Sequence, residues 1–288
     1  MNGGICVKDY KTRMDNVYAE HFSHKRCTPP ETACPFFDDC WESFRGKEAE
    51  GIDAIATSEY SFVDDRCARI GENYGLPGIP KIVFIGKESR CKHTETTAPE
   101  DFEEQKNQHY RRTRGILAAL LGMTERIETD RELYWFPSKN ASDAYKLHRI
   151  FALTNHYHCA FKKTEKAHGV RSTNGMWYNC AEIVKKELKI LNPDIVVIQG
   201  GWSTKQGAAK DIAKYFDDNC IVTVDPDRSG LYWLVDKHTK EKRLCVIGSY
   251  HPSFHCWHQP KYMDPLNERI NRAKVWFASQ NQPRCGQE

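Results

Sequence analysis

Four short apolar runs, each breaking off at glycine or polar residues, set the pattern of this chain. Lys81-Ile82-Val83-Phe84-Ile85 stops at Gly86 and turns polar at Lys87-Glu88-Ser89. Arg149-Ile150-Phe151-Ala152-Leu153 runs into Thr154-Asn155, and Asp194-Ile195-Val196-Val197-Ile198 runs into Gln199-Gly200-Gly201. Leu244-Cys245-Val246-Ile247-Gly248 leads into Ser249-Tyr250-His251-Pro252-Ser253. Short runs that are apolar at every position and rich in β-branched residues predict strands buried on both faces, as in a parallel sheet. Ligand sites in open α/β sheets gather at the carboxyl ends of such strands. The four runs are therefore expected to aim four polar loops at one crevice.

Helical spacing fills the intervals. The latter half of Tyr110–Gly122 is apolar and closes on a glycine, which predicts a helix with a glycine stop. Trp177, Cys180, Val184, Leu188 and Leu191 recur at three or four residues, which predicts a helix that turns Cys180 inward and ends at Asn192-Pro193. Further helices are expected over Thr204–Phe216 and from Asp264 to about Ala278. Cys220–Val224 reads as an edge strand, and Tyr232–Val235 with Arg243–Gly248 as a hairpin around a polar turn. The class is α/β, with residues 76–280 as the main domain. Residues 1–75 read as a polar, irregular N-terminal extension.

The 288 residues allow one sizeable core plus that extension. Lys and Arg number 42 against 39 Asp and Glu, so the total charge neither requires nor excludes nucleic acid. Met1–Arg13 lacks an apolar signal core, and no run approaches the roughly twenty apolar residues of a membrane span, so a soluble, cytoplasmic protein is expected. Twelve cysteines in such a protein read as metal ligands or buried hydrophobes. Cys27, Cys34 and Cys40, interleaved with prolines, form either a cluster-holding loop or a loop with incidental thiols. The basic stretch Arg111-Arg112-Thr113-Arg114 either meets phosphates or is a solvated turn. Gln199-Gly200-Gly201 reads as a strand-to-helix turn more readily than as a phosphate site.

Glu88, Asn155 and His251 each follow a buried run. A carboxylate positions water or stabilises a cation, an amide reads a base edge bidentately, and a neutral imidazole donates to a developing anion. That trio suits hydrolysis of an N-glycosidic bond, where the sugar becomes cationic as the base leaves as an anion.

The four segments, in this order, resemble the uracil-DNA glycosylase superfamily and its iron–sulfur branch in particular, over about Ile79–Phe277. Gly86-Lys87-Glu88-Ser89-Arg90 matches the water-activating loop, Leu153-Thr154-Asn155 the strand-Thr-Asn segment, Asn192–Gly200 the strand ending in Leu-Gly, and Tyr250-His251-Pro252-Ser253 the His-Pro-Ser loop. The chain departs in having Lys87 where the iron–sulfur branch has glutamate, with Glu88 one residue later. The resemblance implies a three-layer α/β/α fold with a central four-stranded parallel sheet. It implies a monomeric, monofunctional DNA glycosylase that flips a base from DNA and leaves an abasic site. Glu88, Asn155 and His251 are then catalytic, and Gly86, Lys87, Ser89, Tyr110 and Asn155 line the base pocket. Arg111, Arg112, Ser253, Phe254 and His255 meet DNA. Cys159 and Cys180, with two of Cys27, Cys34 and Cys40, hold a 4Fe-4S cluster, with zinc as the alternative. The altered loop leaves open a bulky modified or hypermodified base as substrate, as in defence against phage, and a module that binds damaged or modified DNA without cleaving it.

Overall fold

The computed structural model describes residues 7–25, 32–49, 60–64, 68–88, 108–124, 135–136, 145–163, 170–171, 174–252 and 254–280. Seven strands form the main sheet: β1 (Arg69–Ile70), β2 (Ile82–Glu88), β3 (Phe151–Tyr157), β4 (Ile195–Gln199), β5 (Cys220–Asp225), β6 (Arg228–Asp236) and β7 (Lys242–Ser249). Their spatial order is β5-β6-β7-β4-β2-β3-β1. The four apolar runs are β2, β3, β4 and β7, which lie side by side and parallel. The sheet is wider than the four strands expected. The turn at Asp236 folds β6 back antiparallel on β7, β5 adds to β6, and β1 pairs antiparallel with β3. As expected, Cys220–Asp225 is an edge.

The described helices are α1 (Val7–His21), α2 (Phe37–Ala49), α3 (Gln108–Leu120), α4 (Asn174–Leu191), α5 (Ala209–Ala213) and α6 (Pro260–Gln280). Side chains alternate across a strand, and the alternation here sorts two cores. Ile82, Phe84, Ile195, Val197, Cys245 and Ile247 pack with Ile116 and Leu117 of α3 and Leu266 and Ile270 of α6. Val83, Ile85, Val196, Ile198 and Val246 pack on the other side with Ile183 and Val184 of α4 and with Met14 and Tyr18 of α1. Each fully buried aliphatic side chain contributes about 1.5–3 kcal/mol, so both faces of the central strands are needed for stability.

Local signals explain where several helices stop. Beyond α3, Gly122 has φ 74°, its N–H donates to Ala119 O at 3.1 Å, and the N–H of Met123 donates to Ala118 O at 2.9 Å. This paired capping pattern requires a left-handed residue, which glycine supplies without strain. Asn192 ends α4 with φ 44°, just before Pro193. The long helix expected over Thr204–Phe216 is instead a 3-10 turn, Gly201–Thr204, and the short α5. Gly207, at φ 89°, interrupts it.

The described part of the N-terminal region is not irregular. It carries α1 and α2, and Tyr10, Met14, Tyr18, Phe22, Cys34, Phe37 and Cys40 are buried in the same core as β2 and β4. A second, three-stranded sheet pairs Tyr60–Asp64 and Val170–Arg171 with Cys159–Lys163.

Candidate active site

The four parallel strands are in register near their carboxyl ends. Gly86 is paired with Asn155, Gln199 with Ser249, and Ile198 with Ile85, so Gln199 is level with Gly86. Counting by twos from Phe84, Leu153 and Val197, which face α3, puts Gly86, Asn155 and Gln199 on that same side. A Cβ at Gly86 would stand 2.7 Å from Asn155 Oδ1. The half-buried asparagine amide thus reclines over a glycine that leaves room for it. Across this ledge Gln199, 1% exposed, donates from Nε2 to Thr113 Oγ1 of α3 at 2.8 Å.

His251 enters from the loop after β7. The N–H of Phe254 donates to His251 O at 2.8 Å, closing a turn around Pro252. Buried Arg112 of α3 holds this turn: its Nη1 donates to Pro252 O and, at 2.7 Å, to Phe254 O. Its guanidinium lies 5.1 Å from the ring centre of Trp257, a side chain 1% exposed. Arg112, expected at DNA, is 3% exposed. Its charge is spent inside the protein on orienting the histidine loop, whereas Arg111 is half-buried. On the same loop Phe254 stacks on Tyr250 at 5.3 Å and meets Tyr262 edge-on at 5.1 Å. His255 is exposed beside it.

No protein-family model matches the chain, and no curated protein does. What the site can do rests on its own groups.

Two expected loop residues prove to lie within strands. Asn155 is followed in β3 by two more residues, and Glu88 is the last residue of β2, paired with Tyr157. β3 runs past the asparagine, so β2 keeps a partner as far as Glu88. The side chains of Lys87, Glu88 and Tyr110 lie outside the described residues, as do Ser89 and Ser253.

Behind the ledge is a polar group that sequence reasoning missed. Glu187 of α4 is fully buried. It accepts from Tyr18 Oη and, at 2.6 Å, from Thr154 Oγ1, and His158 Nε2 lies 3.2 Å away. The Tyr18 hydroxyl in turn accepts the N–H of Ala68. Thr154 points to the opposite side of β3 from Asn155, so this network anchors the strand directly behind the amide. A charged residue at an otherwise apolar-facing helix position was the available signal, between Val184 and Leu188.

Cys34, Cys40 and Cys180 are all buried on the α1 and α4 side. Cys34 Sγ is 3.3 Å from His21 Nε2 and accepts the N–H of Phe36 at 3.4 Å, and Cys40 Sγ accepts from Asn179 Nδ2 at 3.4 Å. Burial above all, with Cys180 and Cys40 nearby, pushes the Cys34 thiol up to about 12. Burial likewise lowers His21 to about 4, so its ring is neutral at pH 7. Among the described residues no group of three His, Cys, Asp or Glu side chains has metal-holding geometry. Cys27 and the side chain of Cys159 lie outside those residues.

Proposed function

We propose that the chain is a DNA glycosylase that hydrolyses the N-glycosidic bond of a base flipped out of DNA. The observation that carries this reading is the Asn155 amide lying over Gly86 at the carboxyl ends of two adjacent parallel strands, with the His251 turn tied to α3 by Arg112. An amide fixed over a side-chain-free floor is suited to bidentate hydrogen bonding with a planar base edge. In this mechanism Asn155 reads the base, and His251 donates to the oxygen that gains charge as the base leaves. Glu88, two residues past Gly86, orients the attacking water and stabilises the positive charge on the sugar. His255, exposed beside the packed Phe254, enters the space left in the base stack. In the same reading, the main sheet with helices on its two faces is a three-layer α/β/α fold built on the four parallel strands.

Cys159 and Cys180, with Cys27 and either Cys34 or Cys40, hold a 4Fe-4S cluster in this reading, with zinc as the alternative. Burial of the thiols and the N–H groups directed at Cys34 and Cys40 sulfur fit such a group, since hydrogen bonds to sulfur are part of cluster environments. Bound there, the cluster would brace α1, α2 and α4 against one another.

The test is incubation with a duplex containing one uracil, followed by alkali. Strand scission at uracil supports the reading, and panels of modified pyrimidines and purines extend it to other bases. If no base is released from any duplex or single strand, while DNA binding persists, the chain is a binding module and not an enzyme.

A further inference from the structure

Gln199 Oε1 is the one side-chain oxygen among the described residues that is buried and lacks a hydrogen-bond partner. An enclosed, unmatched carbonyl costs roughly 1–3 kcal/mol, so its retention calls for a reason. Its amide is held from the other end, where Nε2 donates to Thr113 Oγ1 at 2.8 Å. The side chain is thus anchored with its acceptor left over.

The position of this acceptor gives the reason. Gln199 and Asn155 project from the same face of the sheet, two strands apart, and the strand between them carries only Gly86 at that level. Neighbouring strands are about 4.8 Å apart, so the two residues are rooted roughly 10 Å apart on either side of Gly86, close to the span of a base hydrogen-bonded at both edges. Asn155 occupies one side of this span, its Oδ1 inclined over the glycine. Gln199 closes the other, beneath Thr113.

We propose that Gln199 is a specificity-determining residue: its carbonyl oxygen accepts a hydrogen bond from an exocyclic amino group of the bound base. This inference rests on the glycosylase reading and narrows the substrate to bases with a donor on the edge facing β4, beyond the atoms that Asn155 pairs with. A base with only keto oxygens on that edge would set oxygen against oxygen and leave Gln199 Oε1 unmatched in the complex. Sites built to pair with a polar group discriminate strongly against analogues that lack it.

The experiment compares single-turnover excision from oligonucleotides that exchange one amino group and its neighbouring ring acceptor for a keto group and a ring N–H: guanine against xanthine, adenine against hypoxanthine, cytosine against uracil. It uses the full chain and the Gln199→Leu and Gln199→Glu variants. The inference expects the wild type to favour an amino member by at least about tenfold. Gln199→Leu should erase that ratio without lowering affinity for undamaged DNA, and Gln199→Glu, which keeps an acceptor, should retain a preference for the donor-bearing base. Melting temperatures of both variants separate a folding loss from a reading loss. A wild-type preference for the keto members, or a ratio unchanged in Gln199→Leu, overturns the inference while leaving the glycosylase reading intact. Release of no base at all overturns both.

Discussion

Gly86 and Asn155 are cross-strand partners, and the asparagine Oδ1 occupies the space that any side chain at position 86 would need, 2.7 Å from its Cβ. Gly86→Ala therefore acts on the orientation of Asn155 before it acts on the fold. The amide must swing away, and a displacement of about 1 Å at a reading group costs on the order of a hundredfold in rate. Single-turnover excision should fall by that order, with a melting temperature close to wild type. Equal activity in Gly86→Ala would show that the observed amide position is not the working one.

Arg112 makes the opposite kind of prediction, because it touches two carbonyls of the histidine loop and a tryptophan ring. Arg112→Met removes charged hydrogen bonds of roughly 1.5–3 kcal/mol each and frees the His251 turn. Activity should fall together with stability. The dependence of DNA affinity on salt should not change, since a phosphate contact would lower the slope by about one. A reduced slope would return Arg112 to the DNA surface.

Glu187 ties α1, β3 and α4 together through Tyr18, Thr154 and His158. A buried donor left without its acceptor costs roughly 1–3 kcal/mol, so Glu187→Gln, which keeps only one acceptor oxygen, should lower unfolding free energy by about that much. Tyr18→Phe, which also strands the Ala68 N–H, should cost about 1–3 kcal/mol. The double variant should lose less than the sum of the two, because they share one interaction. Urea denaturation of the four proteins gives the coupling energy directly, and strict additivity would dissolve the network.

Asp236 closes the β6–β7 turn. Its carboxylate accepts the N–H groups of His238 and Thr239 at 2.8 and 2.9 Å and pairs with Arg243 at 2.6 Å. The Thr239 and then the His238 N–H groups hold its pKa below the ordinary value of 3.8, with Arg243 adding to them. Above 3.8 the group is ionised in both folded and unfolded chains, and its contribution to stability is complete. As pH falls below that value the unfolded chain takes up the proton first, and the contribution is lost until the folded carboxyl also protonates. Asp236→Asn should flatten this part of the acid-unfolding curve, measured by circular dichroism between about pH 5 and pH 2.

The parallel strands were legible because unbroken apolar runs leave few other structures open to them, although β2 and β3 each run two residues beyond Gly86 and Asn155. The stop of α3 was equally plain, since Gly122 is a residue for which the capping conformation is unstrained. The N-terminal helices were harder to see. The inward face of α1 is Tyr10, Met14 and Tyr18 at four-residue spacing, in a segment otherwise crowded with charges. Arg112 could not be assigned from its neighbours, because an arginine holding carbonyls and one meeting phosphate look alike in a basic run. The sequence also gave no sign that β3 continues past Asn155, which depends on pairing with β2.

Tyr18 and the carboxylate it contacts lie 169 residues apart in sequence, and this separation bears on the order in which the protein can be made. During synthesis α1 leaves the ribosome long before α4, and until α4 has emerged Tyr18 lacks the Glu187 carboxylate to which it donates. Contacts of such span are slow to form and expose apolar surface meanwhile. The amino-terminal helices of a nascent chain must therefore wait, and they are the part whose early folding a chaperone would most need to restrain.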